Sequence, residues 1–243
     1  MPEILVKDLI KVYRTGRSEV IALRGIDVAF RDGEMVVIRG PSGCGKTTLL
    51  NLLGGLDQPT AGRIVVGGFD IVNYTDADLV RFRRDWVGFI FQFFNLVPTL
   101  TARENIELPM RLASKTAKER EERVAFLLKT VGLQDRGEHK PDELSGGEQQ
   151  RISIAVSLAL DPPIILADEP TGELDTKTGQ EMIGLLKDLH VRLKKNVIIV
   201  THDQRLAEYA DRVLDIVDGS IVADSKSVAI GTLPAALGPG WPK

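Results

Sequence analysis

"VVIRGPSGCGKTTLLNLLGG", from Val36 to Gly55, runs from β-branched residues through a glycine-rich turn into a helix-forming segment. Gly40, Gly45, Lys46 and Thr47 fall at the spacing G-x-x-x-x-G-K-[ST], with the strand and helix flanks that such a loop needs. Glycines let backbone N–H groups converge on phosphate oxygens without a Cβ in the way. The helix start adds partial positive charge. Lys46 brings a full charge to the β- and γ-phosphates, and the Thr47 hydroxyl is a ligand for Mg²⁺. Leu49, Leu50, Leu52 and Leu53 anchor the helix in a core. The stretch predicts a nucleoside triphosphate site in an α/β fold. Cys44 sits inside the loop, read first as a small residue at a tolerant position and alternatively as a thiol that bound ATP shields.

Working outward, "IILADEP" places Asp168 and Glu169 at the end of an apolar strand. In an open parallel sheet the carboxyl ends of strands face the ligand crevice. Asp168 is then set to hold Mg²⁺ through water, and Glu169 to orient the attacking water or take its proton. His202 ends a similar run, "VIIVTHD", within reach of a γ-phosphate. Gln92 follows "VGFIF", where its amide can meet Mg²⁺ or water.

A second glycine turn, "DELSGGEQQR", spans Asp142 to Arg151 and has no lysine. Ser145 and Glu148 form a capping box for the helix that follows. Capping does not explain Gly146 and Gly147, because glycine in a helix costs stability relative to alanine. Close approach of a ligand or of another backbone does.

The rest of the chain falls into three stretches. "ILVKDLIKVY", "VIALRGIDVAF" and the pair "RIVV"/"FDIV" around Gly67-Gly68 predict an antiparallel sheet with a hairpin. Thr101/Glu104 and Thr116/Glu119 predict capped helices in the middle. After Asp168 the pattern alternates helix and strand, with a last hairpin at Asp218-Gly219. The segment 227–243 is rich in Gly and Pro and is expected to be irregular.

Composition narrows the function classes. Of 243 residues 43% are hydrophobic, and 31 basic against 34 acidic residues give a net charge of −3. Nucleic acid is not expected as the main partner. One cysteine rules out an internal disulfide and suggests a reducing compartment. No apolar run approaches the ~20 residues of a membrane-spanning helix, and the N-terminal residues do not read as a signal peptide. Docking on a membrane protein stays open.

"GPSGCGKT", Gln92, "LSGGEQQR", "IILADE", "GELD" and His202 occur in the order found in ABC-type ATPases, and the chain resembles that family over residues 3 to 226. The resemblance implies a P-loop NTPase fold: a RecA-like α/β core with an antiparallel β subdomain and an inserted helical subdomain. It implies one ATPase domain over 1–226, with the helical insertion at about 93–158. Gly40, Pro41, Ser42, Gly43, Cys44, Gly45, Lys46, Thr47 and Thr48 form the phosphate loop, and Tyr13 stacks on adenine. Lys46, Gln92, Glu169 and His202 are the implied catalytic set. Thr47, Gln92 and Asp168 are the implied Mg²⁺ ligands, and Asp175 lies at a dimer interface. Ser145, Gly146, Gly147 and Glu148 are implied to complete the ATP site of a second copy, whose own loop supplies the lysine. The expected assembly is a homodimer around two ATP molecules, peripheral on the cytoplasmic side of a membrane and attached to integral permease subunits.

"GFIFQFFNLVPTLTARENIELPM" and "EHKPDELSGGEQQR" resemble the ATPases of lipoprotein-releasing and macrolide-exporting systems and their cell-division relative. Transport and regulation of a membrane partner both remain open. The heptad segments of DNA-repair relatives are missing, and so is the second cassette of translation-associated ones. Two departures stand out. Val156 replaces a usual arginine after the signature, and Glu173 adds an acid near the expected dimer seam.

Overall fold

A computed structural model describes residues 2–16 and 18–226; the tail expectation for 227–243 lies outside the described residues. Strands β1 (Ile4–Thr15), β2 (Ser18–Phe30), β4 (Ala61–Val66) and β5 (Phe69–Asp70) form an antiparallel sheet in the order β2-β1-β4-β5. Gly67 and Gly68 both have positive φ, which makes the tight turn that matches strand twist. The hairpin is shorter than "FDIV" suggests. The Asp70 carboxylate accepts from Val72 N at 3.2 Å and starts a 3₁₀ turn over Ile71–Asn73.

A second sheet has the order β10-β9-β3-β8-β7-β6. Its members are β3 (Met35–Arg39), β6 (Val87–Ile90), β7 (Ile164–Asp168), β8 (Asn196–Thr201), β9 (Arg212–Val217) and β10 (Ser220–Asp224). Its pairs are parallel except the final hairpin β9–β10. β3, β7 and β8 are continuous apolar runs because both of their faces are covered. Val36, Ile38, Ile164, Leu166, Ile198 and Val200 face one buried cluster, which includes α1 (Lys46–Leu53) and the antiparallel sheet. Their alternates, such as Val37, Ile165 and Ile199, face a second cluster with α6 (Thr176–Leu193).

The middle helices are α3 (Ala102–Leu112), α4 (Ala117–Thr130) and α5 (Gly146–Ser157), each started by the expected capping box. Their apolar faces run into the second cluster. An extra helix, α2 (Asp76–Trp86), precedes β6, with Thr75 and Asp78 as its capping box. The sequence reading did not anticipate it. The Thr-x-x-Asp signal was there, followed by Leu79 and Phe82, but the charged "RFRRD" blurs the apolar period.

Arg212, 1% exposed, joins the two sheets. Its guanidinium donates to Ala29 O at the end of β2 and to both carboxylate oxygens of Asp224 in β10, at 2.6–2.8 Å.

The glycines of the second turn separate into two cases. A Cβ on Gly147 would lie 2.4 Å from Thr178 Cγ2 of α6, so the chain's own packing requires glycine there. A Cβ on Gly146 would meet nothing closer than 3.6 Å. At Gly147 the Thr178 methyl is by itself a reason for glycine, one that the sequence reading did not include. Gly147→Ala should lower stability by about 1–3 kcal/mol through overpacking, despite alanine's better helix propensity. Adding Thr178→Ser should recover most of that loss in denaturant unfolding. An equal loss in the single and double variants would exclude the methyl contact as the cause.

Candidate nucleotide-binding site

The phosphate loop links β3 to α1 and is wedged between the two sheets. A Cβ on Gly40 would sit 2.1 Å from Ile216 O, and one on Gly45 would sit 2.4 Å from Ala22 O. Only glycine fits at either place. Lys46 is 7% exposed, and its Nζ donates to Gly40 O at 2.8 Å and to Pro41 O at 2.9 Å. Its ammonium thus lies inside the curve of the loop. Cys44 is 4% exposed and packs with the first core cluster. The protein itself shields the thiol, which is against the alternative in which ATP does so; a small residue packed in the loop is what the structure has.

Thr47 is the second residue of α1, and its Oγ1 donates to Asp168 Oδ1 at 3.1 Å. Burial pushes the Asp168 carboxyl above its ordinary pKa, and the neighbouring Glu169 charge adds to this. The Thr47 hydrogen bond and Lys46 oppose the shift. Thr47 and Asp168 thus set two oxygen atoms, the donor type that hard cations take, next to the loop. Among the described residues, no cluster of three or more His, Cys, Asp or Glu forms a self-sufficient metal site.

Glu169 follows β7 with a φ of 45°, an uncommon conformation for a side-chain-bearing residue. Its N–H donates to Val200 O at 2.9 Å. Its Oε2 accepts from Thr201 Oγ1 at 2.9 Å and from His202 N at 3.2 Å, and lies 3.0 Å from His202 Nδ1. Asp168, Glu169 and His202 thus come together with Lys46 and Thr47 at the carboxyl ends of β3, β7 and β8. Thr201, fully buried, was missed in the sequence. Its only signal was a hydroxyl residue just before the histidine.

Gln92 follows β6 at the same edge of the sheet. Its Nε2 donates to Glu173 Oε1 at 3.1 Å, so Glu173 meets a residue of its own chain. Asp175 caps α6, accepting from Lys177 N, Thr178 N and Thr178 Oγ1. That network holds its carboxyl below the usual range, with the Thr178 hydroxyl contributing most. Tyr13 is exposed and its hydroxyl donates to Asp57 Oδ2 at 2.8 Å. Lys11 also binds Asp57 at 2.6 Å and lies 4.8 Å from the Tyr13 ring centroid, a cation–π distance. Asp57 had no signal of its own in the sequence.

The second turn opens a different helix, α5. Ser145 Oγ donates to Glu148 Oε2 at 2.9 Å and accepts from Glu148 N at 3.3 Å. Glu148 also accepts from Ser145 N and Arg136 Nε, and the backbone bond does most to lower its pKa. Glu148 is therefore committed to the cap. Among the described residues no hydrogen bond joins Ser145 to Lys46, Asp168 or Glu169.

Comparison with known proteins agrees with this geometry. A family model described as ABC transporter matches residues 23–172. An uncharacterized ABC transporter ATP-binding protein of Thermotoga maritima is 48% identical, covering 88% of this chain and 91% of its own length. The lipoprotein-releasing system ATP-binding protein LolD of Legionella pneumophila is 45% identical over 88% of this chain and 95% of that one. The macrolide export ATP-binding/permease protein MacB of Brucella abortus is 45% identical over 98% of this chain, which spans 37% of MacB's length. MJ0796, an ATP-binding cassette of Methanocaldococcus jannaschii, has a dimeric post-hydrolysis structure bound to ADP and Pi. It superposes with a TM-score of 0.85 at 41% identity, over 93% of this chain and all of that one. The chain belongs to the ABC transporter family and is one of its ATP-binding cassettes.

Proposed function

We propose that this chain binds and hydrolyses ATP as one half of a head-to-tail homodimer, and that the dimer drives a membrane permease of the exporter or lipoprotein-extraction type. The observation that carries this reading is the split between the two turns. Lys46, Thr47, Asp168, Glu169 and His202 share one edge of the sheet, whereas Ser145 opens a different helix and has no bond to them. Each chain then holds half of two sites.

The backbone amides of the loop and Lys46 hold the phosphates. Thr47 and Asp168 would hold Mg²⁺, and Gln92 would join them in place of its bond to Glu173; an ion bound there would supply charge against the triphosphate. Glu169 takes the proton of the attacking water. Thr201 and His202 aim its carboxylate, and His202 also reaches the γ-phosphate. Tyr13, steadied by Asp57, stacks on adenine. Ser145 and the amide of Gly146 bind the γ-phosphate held by the other copy, next to the partner chain's Asp175 segment. Hydrolysis removes the contacts that hold the two chains together.

Residues of about 93–158 act as the helical unit that passes this motion to the permease. The work is done at the cytoplasmic face of the membrane. No helix among the described residues is long and apolar enough to cross it.

Two variants test the assignment. Glu169→Gln should bind ATP and dimerise while turnover falls by about 100-fold or more, the scale of a lost general base. Undiminished phosphate release would remove Glu169 from that role. Ser145→Arg should leave ATP binding to the monomer near wild type and abolish both ATP-dependent dimerisation, read by size-exclusion chromatography, and turnover. Normal dimerisation would sink the split-site assembly.

A further inference from the structure

Gln150 is 1% exposed, five residues into the segment that Ser145 opens. Its Nε2 donates to Pro170 O at 3.0 Å, while its Oε1 is buried without a hydrogen-bond partner. A buried amide with one unpaired atom costs more than an apolar residue of the same shape. Packing alone therefore does not account for glutamine here. What the amide adds is a single bond to one carbonyl.

That carbonyl matters because of its neighbour. Pro170 directly follows Glu169, and the turn is tight, with Gly172 N donating to Glu169 O at 2.9 Å. Glu169 is already at a positive φ, so small rotations of this turn redirect its side chain. β8 holds the turn from one side through Val200 O, Thr201 and His202. α5 holds it from the other side through Gln150. The flanking contacts Gly147–Thr178 and Arg151 Nη2–Glu181 Oε2, at 2.9 Å, bind α5 to α6, which begins just after the same turn. From Ser145 to Gln150 is about one and a half helical turns, short enough to move as a rod.

We propose that Gln150 is a positioning residue that couples the two ATP sites of the dimer. A γ-phosphate seated on the Ser145 turn sets the position of α5. Gln150 carries that position to Pro170 and so aims Glu169 in the chain's other site. Occupancy of one site then prepares hydrolysis in the next. The inference rests on the ATPase reading above.

The test is Gln150→Met, which keeps the volume and removes both the bond and the unpaired oxygen. Thermal unfolding, ATP binding to the monomer, and turnover against ATP concentration are measured on the full chain. The wild type is expected to show a Hill coefficient approaching two, the number of sites. The variant should keep its melting temperature and monomer affinity, lose about tenfold or more in kcat, and fall to a Hill coefficient near one. Wild-type kcat and cooperativity in the variant overturn the proposal. A loss of kcat with cooperativity retained also overturns it, leaving Gln150 a local support of Glu169. If Gln150→Met does not fold, Gln150→Leu takes its place; failure of both assigns Gln150 to the fold and overturns the coupling. A wild-type chain without ATP turnover overturns the ATPase reading itself.

Discussion

The parallel hydrogen-bond ladder of β3, β8 and β7 is the constraint on which the site depends. Parallel strands run the same way, so their carboxyl ends share one edge. The register sets Arg39 opposite Thr201 and Asp168 opposite Val200. The next residues of each strand therefore emerge side by side: the phosphate loop, Glu169 and His202. A shift of one strand by one residue would exchange its buried faces and move its catalytic end. The paired ladder that fixes this register also holds the chemistry in place.

What was legible in the sequence was local. The phosphate loop, the Asp168–Glu169 pair and the capping boxes each depend on residues within a few positions of one another. Their physics is complete inside a short window. What was not legible depends on distant partners. Thr201 looks like any strand residue until Glu169 is placed over it. Asp57 acquires meaning from Lys11 and Tyr13, across another strand. Gly147 read as a glycine kept for a ligand or another backbone, and the Thr178 methyl adds a reason that only the tertiary structure reveals. Cys44 read as a small residue at a tolerant position, yet the loop turns it into the core. The fold class followed from the motifs and the family resemblance they carry; the residues that support the site required the tertiary structure.

Charge, as well as apolar burial, connects the two sheets. Arg212 reaches Ala29 O and Asp224, with Glu34 at 3.5 Å, and all of these lie away from the nucleotide edge. Removing one partner of such a buried set leaves an uncompensated charge, and this costs more than the pair adds. A guanidinium with several fixed acceptors also specifies one relative placement of the sheets, which a purely apolar seam would not. The loop between those sheets needs that precision, because carbonyl groups confine it from both sides.

The phosphate loop is finished by residues far downstream. Gly40 lies against Ile216 O, Gly219 N donates to Cys44 O, and Gly219 O accepts from Arg24 N. During synthesis the loop emerges early, but these walls come more than 170 residues later. At the pace of translation that gap lasts on the order of ten seconds or more. A nascent or prematurely ended chain would carry the whole motif without the walls that shape it. Competence for nucleotide is in this sense a receipt for a nearly complete cassette, issued only when the last hairpin has closed.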